Sequence, residues 1–201
     1  SRSPPVASDL RFVLALLATL LVGTALGLAA TRWTASNRQG FSAEQAGPWI
    51  AWPKAGTSEA EPYARAFQAR TGYVPLGGGD GVALFALSDS DGRPLEGNCA
   101  YDVGGAVPAA RFWTLEAFSP RGRPVAGPLG RLGFTSAEVM HDAAGHFMVA
   151  VSPQVRPGNW LQVATPGRFV LVLRLYETVL SASAFSLEAD ALPAITRGAC
   201  R

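Results

Sequence analysis

Two histidines, three aspartates, an amide beside a tryptophan and two arginines in apolar surroundings are the residues of this chain that could do chemistry. His141 and His146 stand five apart across Asp142, Ala143, Ala144 and Gly145. A metal site would need a third ligand from elsewhere, and the spacing fits instead a hairpin turn that Asp opens and Gly closes. Asp89, Asp91 and Asp102 could form a carboxylate cluster for calcium or for acid–base work, whereas the first two also suit the shaping of a turn around Asp91-Gly92. Asn159 and Trp160 could hydrogen-bond and stack a sugar or small ligand. Alternatively, Trp160 plugs one end of the fold while Asn159 bonds to nearby backbone. Arg111 and Arg174 each interrupt an apolar run, where a charge needs a carboxylate partner or a rim position. Glu116, Asp102 and Glu177 are candidate partners, and an anionic ligand is the sharper alternative. The ligand-binding candidates are therefore Asn159, Trp160, Arg111 and Arg174. The chain has no nucleophile motif, phosphate loop or CxxC, so no catalytic residue, metal or cofactor is assigned.

The elements that must position these residues are mostly strands. From Gly77 onward short apolar runs alternate with turn residues. Val82 to Leu87 reads as a strand, Ser88 to Pro94 as a turn, and Leu95 to Val103 as the returning strand. Arg111 to Phe118 places Phe112, Thr114, Glu116 and Phe118 on one face and Trp113, Leu115 and Ala117 on the other, which suits the middle of a sandwich. Phe134 to Met140 and Phe147 to Val151 read as a pair around the histidine turn, and Phe169 to Tyr176 is the most apolar strand. About six strands at this spacing predict a mainly β domain, a β-sandwich, jelly roll or barrel. One short helix is predicted from Ser58 to Arg70, started by Ser58 and Pro62 and stopped by Gly72, with Tyr63 and Phe67 as its buried edge. Thr34 to Thr57, broken by Gly40, Gly47, Pro48 and Pro53, reads as a connector without regular structure. Its Trp49 and Trp52 lie either at a membrane interface or packed on the domain.

Upstream, Phe12 to Ala30 is 19 residues without a charge, about enough to span the hydrocarbon core of a bilayer as a helix. Arg11 on one side and Arg32 with Trp33 on the other sit where headgroups would be. The expected organisation is a tail and transmembrane anchor over 1–33, a linker over 34–57 and a β-sandwich domain over 58–201. A cleavable signal peptide is the competing reading, but the run exceeds the usual apolar core of one. Ala15, Thr19, Gly23 and Gly27 recur every four residues as a stripe of small side chains, against which a transmembrane helix of another subunit could pack closely. Arg2 and Arg11 balance Arg32 and Arg38, so the positive-inside count is a tie. Cys99 and Cys200 are the two cysteines. An even pair predicts a disulfide and an oxidising compartment, which places the domain in the bacterial periplasm with the N-terminus cytoplasmic. Seventeen basic and 15 acidic residues spread without a run leave no footprint for nucleic acid.

Four stretches together carry a family resemblance: SDSDGRPLEG from Ser88 to Gly97, VPAARFWTL from Val107 to Leu115, GNWL from Gly158 to Leu161, and RFVLVLRLY from Arg168 to Tyr176. In this order and spacing they resemble the bacterial family called domain of unknown function 1214, over about Leu76 to Tyr176. The resemblance implies a jelly-roll-like sandwich and, as a companion, a protein or domain of the related family 1254. It implies no established catalytic residue. The chain departs from that pattern at Gln162, where relatives usually carry proline, at Glu177 and Thr178 in place of Trp-Pro, and in GPLGR at Gly127 to Arg131, which lacks an initial asparagine. The expected function is that of a membrane-anchored periplasmic accessory subunit of a larger membrane complex. A small-molecule- or glycan-binding protein or enzyme is the alternative.

Overall fold

The computed structural model describes residues 6–36, 43–125, 127, 130–178, 180 and 188–200. Arg2, Arg38, Pro128 and Leu129 lie outside the described residues, as does the side chain of Phe67. The chain divides into two units between residues 40 and 41.

The first unit is α1, Val6–Ser36. Its 24-residue stretch Leu10–Trp33 is apolar enough to cross a membrane, and none of it is buried in the protein. Within that stretch apolar side chains lie on every side of the helix, unlike the single apolar stripe of a helix packed on a core. Thr19, Thr24 and Thr31 each donate their hydroxyl to the carbonyl four residues earlier, at 2.8 Å. That removes the free polar groups hydrocarbon would penalise. Gly23 and Gly27 face open space.

The second unit is a two-sheet sandwich. Its first sheet holds β1 (Glu44–Ala46), β2 (Trp49–Ala51), β3 (Gly81–Ala86), β5 (Ala110–Phe118), β6 (Gly133–Thr135) and β9 (Val170–Thr178), in the spatial order β1-β2-β3-β9-β5-β6. The second holds β4 (Cys99–Gly105), β7 (Phe147–Ser152), β8 (Asn159–Gln162) and β10 (Ala194–Cys200), in the order β10-β4-β7-β8. All neighbours are antiparallel except β7 and β8. The inward side chains follow the two-residue period of a pleated strand: Trp113, Leu115 and Ala117 from β5 meet Leu171, Leu173 and Leu175 from β9, with Tyr101, Val103, Val149, Val151 and Ile195 opposite. Fully burying each large apolar side chain contributes about 1.5–3 kcal/mol, so this layer dominates the fold.

The other face of the first sheet is also covered. Helix α2 (Pro62–Thr71) begins with proline and ends at Gly72, whose φ of +68° is the left-handed cap a side chain would resist. Ala64 packs with Ile50, Trp52, Phe85, Val170 and Val172 into a second cluster, which Tyr73 and Phe118 flank. This explains why β5 is apolar on both faces. Gln68 donates to the Ala55 carbonyl at 3.1 Å, fixing the helix against the preceding loop.

Four expectations change. The stretch 34–57 is not all connector, since it contains β1 and β2, and Trp49 is fully buried in the sandwich while Trp52 packs edge-on against Phe85. Tyr63 is on the exposed side of α2, because Ala64 is the residue turned to the sheet. The stretch Leu95 to Val103 does not return along β3. Leu95 pairs briefly with Leu87, after which 95–97 bonds to 167–169 and the chain crosses to the second sheet. Likewise β6 pairs with β5, whereas β7 pairs with β4 and β8, and only a single bridge joins His141 to Phe147.

Candidate functional site

The edge strands β6 and β8 of the two sheets border an open cleft of about 890 Å³, lined by Thr114, Glu116, Arg131, Glu138, Asn159 and Trp160 among others. A second shallow groove, about 960 Å³, lies over β4 and β7 and includes Met140, His141, His146, Met148 and Arg156. Asn159 and Trp160 thus reach a concave surface. Arg111 and Arg174 are not among the residues lining it.

Asn159 is buried, and its side chain is committed to backbone. Its Oδ1 accepts from the Met140 N–H at 2.8 Å, and its Nδ2 donates to the carbonyls of Met140 and Met148, both at 2.9 Å. It therefore clips the loop before the histidine turn to β7. We expect Asn159→Ala to lower stability by about 2–3 kcal/mol, because three bonds at roughly 1 kcal/mol each are lost from a buried site. Urea unfolding followed by tryptophan fluorescence measures this, and a loss under 0.5 kcal/mol would count against the clip. Trp160 is half-buried and donates its indole N–H to the Ser152 carbonyl at 3.1 Å.

Both arginines have found the carboxylates expected of them. Arg174, on the helix-covered face of β9, pairs with Glu116 of β5, and its guanidinium lies 5.3 Å from the Phe118 ring centre and 5.7 Å from that of Tyr73. Burial pushes the Tyr73 phenol above its ordinary range, and the Arg174 charge opposes that shift. Arg111 pairs with Glu177 at 3.0 Å on an exposed rim, where such pairs contribute little. Glu177 holds a φ of +47°, unusual for a residue with a side chain. Asp102 pairs instead with Arg156 at 3.3 Å.

The acids and histidines shape turns. Asp89 is 1 % exposed, accepts from the Asp91 and Arg93 N–H groups at 3.1 and 2.9 Å, and takes the Arg93 Nε at 3.0 Å. Its buried charge is thus satisfied by a partner that the aspartate pattern alone does not reveal. Asp142 Oδ1 accepts from Ala144 and His146 N–H, each at 2.9 Å, and Gly145 closes the turn at a φ of +82°. The His146 N–H holds the Asp142 carboxyl below its usual range. Among the described residues, no group of three or more His, Cys, Asp or Glu could hold a metal ion.

The cysteines do meet. Cys99 and Cys200 form a disulfide between β4 and β10, at facing positions of the two strands. Arg197, which the sequence did not single out, places its Nη2 3.0 Å from the Cys99 sulfur and 3.0 Å from Glu96 Oε2. Its position three residues before Cys200, at the start of a bulge, carries no sequence signal.

With this geometry in place, comparison with known proteins gives one family match: the family described as Protein of unknown function (DUF1214) covers residues 80–179. Residues 80–179 belong to that family. The matched DUF1214 region begins just before β3 and runs through β9, so it holds the centre of the first sheet and most of the second, while β1, β2, α2 and β10 lie outside it. No curated protein matches the chain. Among solved structures, the chain is similar to the VPA0106 protein from Vibrio parahaemolyticus, at 17% identity and a TM-score of 0.54, over 70% of this chain and 36% of that one. It also matches an uncharacterised protein from Burkholderia cenocepacia at 19% identity and a TM-score of 0.39, over 61% of this chain and 30% of that one. The chain spans about a third of the length of each. The first likeness supports the fold alone.

Proposed function

We propose that this protein is a membrane-anchored structural or binding subunit whose DUF1214 sandwich stands in the bacterial periplasm and works through neighbouring membrane subunits rather than by catalysis of its own. The observation that carries this reading is the 24-residue apolar stretch Leu10–Trp33 of α1, with no part buried in the protein and with Gly23 and Gly27 open to close approach. The disulfide is compatible with an oxidising compartment. The pairing of Arg174 with Glu116, of Arg111 with Glu177 and of Asn159 with backbone is what a scaffold uses to hold its shape. Transmembrane helices of other subunits are the proposed partners, and a family 1254 protein is a candidate companion.

Native electrophoresis after extraction in a mild detergent tests this. The expected result is migration well above the 21.0 kDa chain in its detergent belt. Gly23→Leu with Gly27→Leu should reduce the species to the lone chain while the sandwich melts unchanged. Migration of the parent as a lone chain, or an unchanged assembly in the variant, would overturn the reading. A ligand-binding role rests on the cleft between β6 and β8, and a thermal shift with mono- or oligosaccharides that Trp160→Ala abolishes would favour it instead.

A further inference from the structure

We propose that the Cys99–Cys200 bridge is a thiol–disulfide exchange site, built so that a dithiol reductant attacks Cys200 and Cys99 departs as a thiolate held by Arg197. The two sulfurs are in unequal surroundings: Cys99 is 2 % exposed in the core, whereas Cys200 lies on the exposed end of β10. Attack at Cys200, the cysteine on the exposed strand end, makes the buried Cys99 sulfur the leaving group. The Arg197 side chain is itself largely buried and is held by Glu96 at 3.0 Å and by the Tyr101 ring, 5.8 Å from its guanidinium carbon. Tyr101 in turn accepts the Glu96 N–H at 2.8 Å, so the donor that reaches the Cys99 sulfur at 3.0 Å is fixed before any reaction. A disulfide sulfur is a weak acceptor and a thiolate a strong, charged one, so this contact strengthens on reduction and favours departure of Cys99.

A thiolate of the reductant bonds to Cys200 Sγ, the Sγ–Sγ bond breaks, and its electron pair stays on Cys99 Sγ beside the guanidinium. The second thiol of the reductant loses its proton to solvent and, as a thiolate, attacks the reductant's other sulfur, the one bonded to Cys200. Cys200 leaves and takes a proton from solvent, and the reductant ends as a disulfide, oxidised by two electrons.

The fold makes the release local. Ile195 of β10 is bonded to Ser90 in both directions at 2.9 Å, and the Pro193 carbonyl accepts from Trp49 Nε1 at 2.7 Å. The β4 register runs regularly from Ala194 to Arg197 and then shifts before Cys200. Reduction therefore frees 198–200 and leaves 194–197 in the sheet.

The test uses the full chain in detergent, with dithiothreitol as reductant and the remaining bridge followed by alkylation of thiols. Arg197→Gln should slow reduction about tenfold, and Arg197→Lys, which keeps the charge, should recover part of the rate. An unchanged or faster Arg197→Gln would overturn the proposal. A second measurement does not depend on that variant folding: glutathione added to the parent protein should be trapped on Cys200, and hydrogen exchange should rise at 198–200 but not at 194–197. An adduct on Cys99, or exchange rising across all of β10, would overturn it equally.

Discussion

Trp49→Ala is expected to cost about 3–5 kcal/mol, the usual penalty for emptying a tryptophan-sized space in a core. For a unit of this size that lowers the melting temperature by about 10 °C. The residue is fully buried, packs with the main core, and donates its indole N–H to the Pro193 carbonyl at 2.7 Å. Alanine would open a cavity and also leave that carbonyl without its donor. Because Pro193 leads into β10, the loss should appear as faster hydrogen exchange both in β2 and at the start of β10. Thermal unfolding by near-ultraviolet circular dichroism gives the magnitude. A change below 1 kcal/mol would mean that β2 is an appendage to the sandwich rather than part of it.

Removing the bridge with Cys99→Ala and Cys200→Ala is expected to cost about 2–4 kcal/mol. Closing a loop of 101 residues limits the unfolded chain by up to about 4.7 kcal/mol in the chain-entropy treatment, and measured values usually fall below that ceiling. The diagnostic readout is the dependence on urea: the unbridged chain unfolds to a more expanded state, so its m-value should rise as its midpoint falls. A lower midpoint at constant m would place the effect in the folded state, in the contacts of Cys99 with the core.

Trp49 and the Cys99–Cys200 bridge also mark what can be read from sequence and what cannot. The disulfide is legible because the chain has a single pair of cysteines, and α1, the alternation of β5 and the apolar run of β9 because each is written locally, in spacing or in composition. The carboxylate partners of Arg111 and Arg174 were legible too, since Glu177 and Glu116 are among the few acids near a strand that could answer a charge. Trp49 was not, because β2 is three residues long and follows Gly47-Pro48, too short for any period to show. Sheet membership was not legible either. Alternation tells that β4 and β7 are strands, but their partners are chosen by distant backbone: Gly97 donates to the Gly167 carbonyl at 2.9 Å and Phe169 to Leu95 at 3.2 Å, which draws the chain away from β3. The ligand candidates divide for the same reason, with Asn159 and Trp160 on one sheet and Arg111 and Arg174 on the other.

The borders of the two sheets have a consequence for copies of this domain at high local density. Strands β1 and β6 are three residues long, β8 is four, and β10 is interrupted between Arg197 and Cys200. A foreign strand laid along any of them finds too short or too bent a template to continue the hydrogen-bonded ribbon. Copies brought side by side therefore meet no long, flat edge to extend.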